Sequence, residues 1–180
     1  PSQREKEIKN LSAAYTQIAD QILPQLRRSK LELVVDVTGK SDEQILAIAK
    51  SDSVKLSLEE LLYGASIAET ASEKAYITGQ AITLYPQDWR AYNNMAAQQL
   101  ANGNTEAAKA LLESAVEKGG EQAQINFNLG LVELSAKNYT KAQEYFGKSA
   151  GVGEALAEAQ GVAYIQAGEY NKAVTAFGNS

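Results

Sequence analysis

Residues 89–112 read WRAYNNMAAQQLANGNTEAAKALL, residues 123–146 read AQINFNLGLVELSAKNYTKAQEYF, and residues 154–177 read EALAEAQGVAYIQAGEYNKAVTAF. Asn94 and Ala108 recur 34 residues later as Asn128 and Ala142, and the third segment follows the second after 31 residues. A period of about 34 residues is the length of one helix–turn–helix unit. The stretch therefore predicts three consecutive helical hairpins over residues 87–180.

The three segments carry small residues where the two helices of a hairpin would cross. Ala108, Ala142 and Ala173 share one register, and a larger side chain there would force the helices apart. The predicted repeats occupy about 89–122, 123–153 and 154–180. Since the third repeat begins early, either the second helix of the second repeat is a turn shorter or the loop after it is tight.

The composition is that of a soluble globular protein, with 44% apolar and 22% charged residues among 180. A net charge of −5 argues against nucleic acid or an anionic membrane as partner. Cysteine and histidine are absent, which removes disulfides, thiolate nucleophiles, the usual zinc sites and Ser-His-Asp triads. No apolar run approaches the roughly 18–20 residues of a membrane span. We therefore expect no enzyme activity, no cofactor, no metal and no membrane span in this segment.

Residues 1–56 differ in pattern from the repeats. Residues 3–28 predict an amphipathic helix, because apolar side chains recur at helical spacing. These positions are Ile8, Leu11, Tyr15, Ile18, Ile22 and Leu26. Residues 31–37 alternate in polarity, which predicts one β-strand. A lone strand leaves backbone groups unpaired, so its partner is missing from this sequence, or belongs to a second copy, or the segment is simply extended.

Two capping boxes begin the helices that follow. Ser41 and Ser57 each precede a Gln or Glu by three residues, so each serine oxygen accepts a backbone amide and the longer side chain returns the bond. Residues 57–86 predict a degenerate hairpin that ends at Pro86, since the residue before a proline avoids helical geometry. The predicted fold is mainly all-α, a helical-hairpin solenoid after a short α/β segment of one helix and one strand.

The repeated segments resemble the tetratricopeptide family. Its pattern has Leu-Gly in the first helix and Ala-x-x-x-Phe in the second, which this chain matches with Leu129-Gly130 and Ala142 to Phe146. The resemblance implies hairpins whose first helices line a concave groove for a protein or peptide partner. By register, the candidate binding residues are Arg90, Asn93, Asn94, Gln124, Phe127, Asn128 and Leu131. The same register adds Leu100, Leu134, Glu158, Val162 and Ile165 to the groove.

These groove positions allow more than one interpretation. Arg90 is the only basic residue among them, so we expect no clamp for a peptide carboxylate. Asn94 and Asn128 would hydrogen-bond a peptide backbone through amide donor and acceptor, or they would cap or bridge neighbouring helices. Phe127 and Leu131 would line the groove or lie buried against an adjoining helix.

Residues 27–37 and 86–94 look similar to outer-membrane-associated proteins of Bacteroidetes in which an OmpA-like domain precedes such repeats. This similarity implies the periplasm or cell envelope, and without it we expect the cytoplasm. The chain opens at Pro1 rather than Met, so we expect it to be processed or cut from a larger protein.

Two functions follow from the repeats. The first is a non-catalytic scaffold that binds a protein or peptide in the groove. The alternative is a structural spacer or self-assembly module, a homo-oligomer joined through an open C-terminal face or through the unpaired strand. Solenoids cover a terminal repeat with a polar helix, and none follows the third repeat in this sequence. The residues expected to leave an apolar face partly open are Ala173, Val174, Ala176 and Phe177.

Overall fold

A computed structural model of the chain describes residues 39–178. Apart from Gly39, these residues belong to the unit Lys40–Ser180. The helix predicted over 3–28 and the strand predicted over 31–37 lie outside the described residues. Their predicted α/β character therefore remains a prediction.

Residues 39–178 are helical throughout, without a strand among them, so the mainly α prediction is confirmed for this part of the chain. Each helix contacts the next along the sequence, as in a stack of hairpins. The helices are α1 (Asp42–Ser51), α2 (Leu58–Ile67), α3 (Ala71–Leu84), α4 (Trp89–Ala101), α5 (Thr105–Gly119), α6 (Ala123–Ser135), α7 (Tyr139–Gly147), α8 (Glu154–Gln166) and α9 (Tyr170–Phe177), with a 3₁₀ turn at Ser53–Lys55.

Both predicted capping boxes are present. The Ser57 hydroxyl accepts the Glu60 amide at 3.2 Å, and the Glu60 carboxylate accepts the Ser57 amide at 2.9 Å. Ser41 and Gln44 make the same reciprocal pair at the start of α1. Each box satisfies donors that a helix leaves open, and one such cap contributes about 1 kcal/mol. These caps fix where α1 and α2 begin.

The hairpin α2–α3 shares a core with α1. Leu61 and Ile77 are fully buried in a cluster that extends from α1 to the start of α4. Helix α1 belongs to the predicted segment 1–56, yet it packs on the same core as the hairpin predicted at 57–86.

Within the repeats, a small residue of the first helix faces a bulky residue of the second. Gly130 lies against the Phe146 ring so closely that an added Cβ would sit 2.4 Å from its Cε1 atom. Gly161 lies in the same way against Phe177. The first repeat has Ala96 at this register, fully buried in one cluster with Leu112. Small and large side chains therefore alternate across each hairpin, which sets how closely its helices approach.

The joint between the second and third repeats differs from the preceding joint. Helix α7 has 9 residues whereas α5 has 15, and residues 148–153 form a longer loop after α7. Gly151 and Gly153 in this loop have φ of 92° and 104°, the region that glycine adopts without strain. The first of the two predicted alternatives, a shorter helix, is therefore the observed one, and the loop is longer rather than tight.

Candidate functional site

The first helices α4, α6 and α8 place one side of each helix in a continuous surface. Each has 13 residues, and α6 contacts both α4 and α8 directly. The second, fifth, ninth and twelfth residues of a helix fall in one stripe, because 3.6 residues make a turn. We call this surface the first-helix face. Its residues are Arg90, Asn93, Ala97, Leu100, Gln124, Phe127, Leu131, Leu134, Ala155, Glu158, Val162 and Ile165.

Arg90 is held by two carboxylates. Its Nε and Nη2 atoms donate to the two oxygens of Asp88 at 3.0 Å each, and Nη2 also donates to Glu59 at 3.2 Å. The hydrogen bond to Asp88 raises the pKa of Arg90, and the same bond lowers the pKa of Asp88. A ligand carboxylate would have to displace Asp88 to use this guanidinium, so Arg90 makes a poor peptide clamp.

Asn93 and Asn128 form a bridge between first helices. The Asn128 Nδ2 atom donates to the Asn93 Oδ1 atom at 2.9 Å, and both residues are buried. Asn128 therefore holds α6 to α4, the bridging interpretation that the sequence left open for it. The repeat register did not find this pair, since it matched Asn128 with Asn94 at the equivalent position whereas the bridge joins unlike positions.

Two polar candidates keep their side chains available. Asn94 is half-buried and Gln124 is exposed. Within residues 39–178, the side chains of these two residues make no hydrogen bond to another residue of the chain. Each presents both an amide donor and a carbonyl acceptor, which match the two groups of a peptide bond. Their role in binding remains a prediction.

Phe127 and Leu131 are half-buried and pack on the core of the second repeat. The ring centroids of Phe127 and Phe146 lie 5.9 Å apart with the planes tilted by 45°, a separation at which aromatic pairs attract. Leu131 and Leu134 pack on the same cluster. These side chains thus brace the hairpin with one side and leave the other side on the first-helix face.

The first-helix face becomes apolar and exposed at α8. Val162 is 41% exposed and Ile165 is 44% exposed. They occupy the registers of Leu131 and Leu134 on the neighbouring α6. We call these four residues the apolar patch. The register pointed to Val162 and Ile165, but nothing in the sequence indicated that they would be more exposed than their counterparts on α6.

Other chemistry has little support among residues 39–178. No group of three or more acidic, cysteine or histidine side chains there would hold a metal ion. No helix in this range is both long enough and apolar enough to cross a membrane. A depression of about 510 Å³ lies at the turns beside Lys137 and Lys141. It is bordered by Glu169, whose carboxylate accepts hydrogen bonds from Lys172 and Gln143.

Comparison with family models identifies the class of repeat. Two models described as tetratricopeptide repeat match residues 79–110 and 123–152. The first match runs from the end of α3 through α4 into α5, and the second covers α6 and α7. The chain therefore carries tetratricopeptide repeats, as its sequence predicted. No curated protein sequence matches the chain.

The solved structures that share this fold include proteins named MamA. A structure described as MamA 41-end from Desulfovibrio magneticus RS-1 is 17% identical, covers 99% of this chain and 93% of its own, and superposes with a TM-score of 0.60. A crystal structure of MamA protein is 20% identical, covers 76% of this chain and 77% of its own, with a TM-score of 0.57. At these identities, the likeness shows a common fold.

Proposed function

We propose that this chain is a non-catalytic scaffold that holds a segment of a protein partner on the first-helix face. The observation that carries the proposal is the apolar patch, where Val162 and Ile165 stand exposed beside Leu131 and Leu134 on a neighbouring helix. Aliphatic side chains in contact with water favour an apolar ligand that covers them. Asn94 and Gln124 lie on other parts of the first helices and would pair with the backbone of the bound segment.

The patch is large enough to anchor a short segment. Fully burying an aliphatic side chain contributes about 1.5–3 kcal/mol, so covering the exposed part of Val162 or Ile165 contributes about 1 kcal/mol each. Leu131 and Leu134 add the smaller areas that the core leaves uncovered. Arg90 adds little, because its charge is already paired with Asp88 and Glu59.

The test uses peptides selected from a random displayed library against the wild-type protein. Each selected peptide is titrated against Val162→Ser/Ile165→Ser and against the control Val116→Ser/Val174→Ser, which changes two exposed valines on the second helices. We expect the patch variant to weaken binding by about tenfold or more, equivalent to about 1.4 kcal/mol. Melting temperatures of both variants check that the fold is intact. If the selected peptides bind both variants alike, the patch is not the binding site.

We further propose that the scaffold works in the cell envelope. This rests on the similarity of residues 27–37 and 86–94 to envelope proteins in which an OmpA-like domain precedes such repeats. The test is fractionation of cells that produce the full-length parent protein with an epitope tag. Recovery of the tag with the cytosolic fraction would exclude the envelope.

A second candidate function, self-assembly, is favoured by the surface of α9. Tyr170 is 66% exposed and Val174 is 73% exposed. Ala173 and Ala176, which were expected to lie on the open face, are instead buried against the third repeat. The apolar face is therefore narrower than predicted. Sedimentation of wild type and Val174→Glu over a range of concentrations tests it, since a mass that is constant and equal in both excludes assembly through α9.

A further inference from the structure

We propose that the segment bound on the first-helix face is basic, with Lys or Arg side chains placed beside Glu154 and Glu158 and apolar side chains placed on the apolar patch. The inference rests on the proposed function and specifies the chemistry of its partner. Two observations carry it: the distribution of charge between first and second helices, and the free carboxylates next to the patch.

Charges are segregated between the two kinds of helix. Helices α6 and α8 carry only Glu side chains as charged groups, and α4 carries only Arg90. All the lysines between residues 89 and 178 lie on the second helices or in turns. These lysines are Lys109, Lys118, Lys137, Lys141, Lys148 and Lys172. With Arg90 paired to Asp88 and Glu59, the first-helix face is acidic.

The acidic and apolar parts of α8 form one stripe. Glu154, Glu158, Val162 and Ile165 follow at spacings of four, four and three residues, which aligns them along one side of the helix. Both glutamates are exposed. In the part of the chain that the structure describes, neither carboxylate makes an ion pair or a hydrogen bond.

Helix-start electrostatics account for one of these glutamates but not the other. Glu154 lies in the first turn of α8, where the positive end of the helix dipole favours a carboxylate. Glu158 is a full turn further on, where that effect has faded, and it lies one turn from Val162. A ligand cation near Glu158 would meet an unpaired carboxylate beside an apolar surface, whereas a ligand carboxylate there would be repelled.

The experiment compares three synthetic peptides with identical leucine positions whose remaining positions are Lys, Gln or Glu. Each is titrated by fluorescence anisotropy against wild type, Glu158→Lys and Glu113→Lys. Glu113 is an exposed glutamate of the second helix α5, so the control changes the net charge of the protein by the same amount. Titrations at about 0.02 M and 0.3 M salt separate short-range pairing from long-range attraction.

We expect wild type to bind the Lys peptide most tightly. Glu158→Lys should weaken that binding by about tenfold and improve binding of the Glu peptide, and Glu113→Lys should change neither by more than about twofold. Equal weakening by both variants would show a general attraction to an acidic protein and overturn the proposal. So would a Glu peptide that binds wild type as tightly as the Lys peptide.

The two proposals fail in different ways. Val162→Ser/Ile165→Ser should weaken all three peptides regardless of their charge. If it weakens all three while Glu158→Lys has no effect, the binding face stands and the basic partner is wrong. If it weakens none, the proposed face itself is wrong. If the mass of the wild type rises with concentration and that of this variant does not, the occupant is a second copy, which also overturns a basic partner segment.

Discussion

The contact between Gly130 and Phe146 predicts the cost of adding a single methyl group. In Gly130→Ala, the new Cβ would lie 2.4 Å from Phe146 Cε1 and 2.6 Å from Cδ1, where carbon atoms prefer about 3.5–4.0 Å. The ring is 1% exposed and packs on Phe127, so it has little room to retreat. Overpacking of this kind costs about 1–3 kcal/mol.

Helix propensity offsets part of that cost. Alanine is more favourable than glycine in a helix by about 1 kcal/mol, so a clash at the upper end of the range leaves Gly130→Ala destabilised by about 2 kcal/mol. Gly79→Ala is the matched control, because a Cβ at Gly79 in α3 would meet nothing within 4 Å. We expect Gly79→Ala to stabilise the fold by about 0.5–1 kcal/mol. Urea denaturation followed by circular dichroism at the helix band measures both variants.

A second substitution tests whether the clash is the cause. Phe146→Leu combined with Gly130→Ala would recreate the pair Ala96 and Leu112 of the first repeat. We expect the double variant to be more stable than the sum of the single variants implies, by about 1–2 kcal/mol of coupling. An additive double variant, or a Gly130→Ala protein as stable as wild type, would refute this account of hairpin packing.

Three further predictions follow from single contacts. Lys137 has φ of 62°, where the turns of the other two repeats use glycine, so Lys137→Gly should raise the urea midpoint, with a gain of about 0.5–1 kcal/mol; an unchanged or lower midpoint would contradict this. Asn128→Ala removes the donor to buried Asn93 and should destabilise the protein by about 1–3 kcal/mol, whereas loss of peptide binding at full stability would point to a ligand contact. The lowered pKa of Asp88 contributes stability that is present above its unfolded pKa and is lost as pH falls through the lower folded value. Wild type should therefore exceed Asp88→Asn in melting temperature near neutral pH and lose that advantage in acid, and a gap that is constant with pH would exclude this linkage.

The repeat period predicted most of the described fold, because the positions that recur are those that packing constrains. Ala108, Ala142 and Ala173 are buried where the helices cross, and the glycine–aromatic pairs recur in the second and third hairpins. The shortening of α7 was visible only as a missing three residues. Sequence alone did not decide between a shorter helix and a shorter loop, since both satisfy the same spacing.

The candidate site was less predictable, because its properties depend on contacts between residues that the register does not relate. Arg90 looked available until Glu59, 31 residues earlier in the chain, was found beside it. Asn128 meets Asn93 rather than its own equivalent Asn94. Val162 and Ile165 have the same chemical character as Leu131 and Leu134, and only the packing around α8 determines how much of each meets water.

The loop at 148–153 has a consequence for how the array grips a ligand. A solenoid built from identical 34-residue units would hold every pair of neighbouring first helices at one separation and one angle. Here α8 begins 31 residues after α6 rather than 34, so the third hairpin is out of phase with a regular superhelix. The apolar patch straddles that dislocation. Restoring three residues to the loop would therefore turn half of the patch relative to the other half, even though every side chain that forms it would be unchanged.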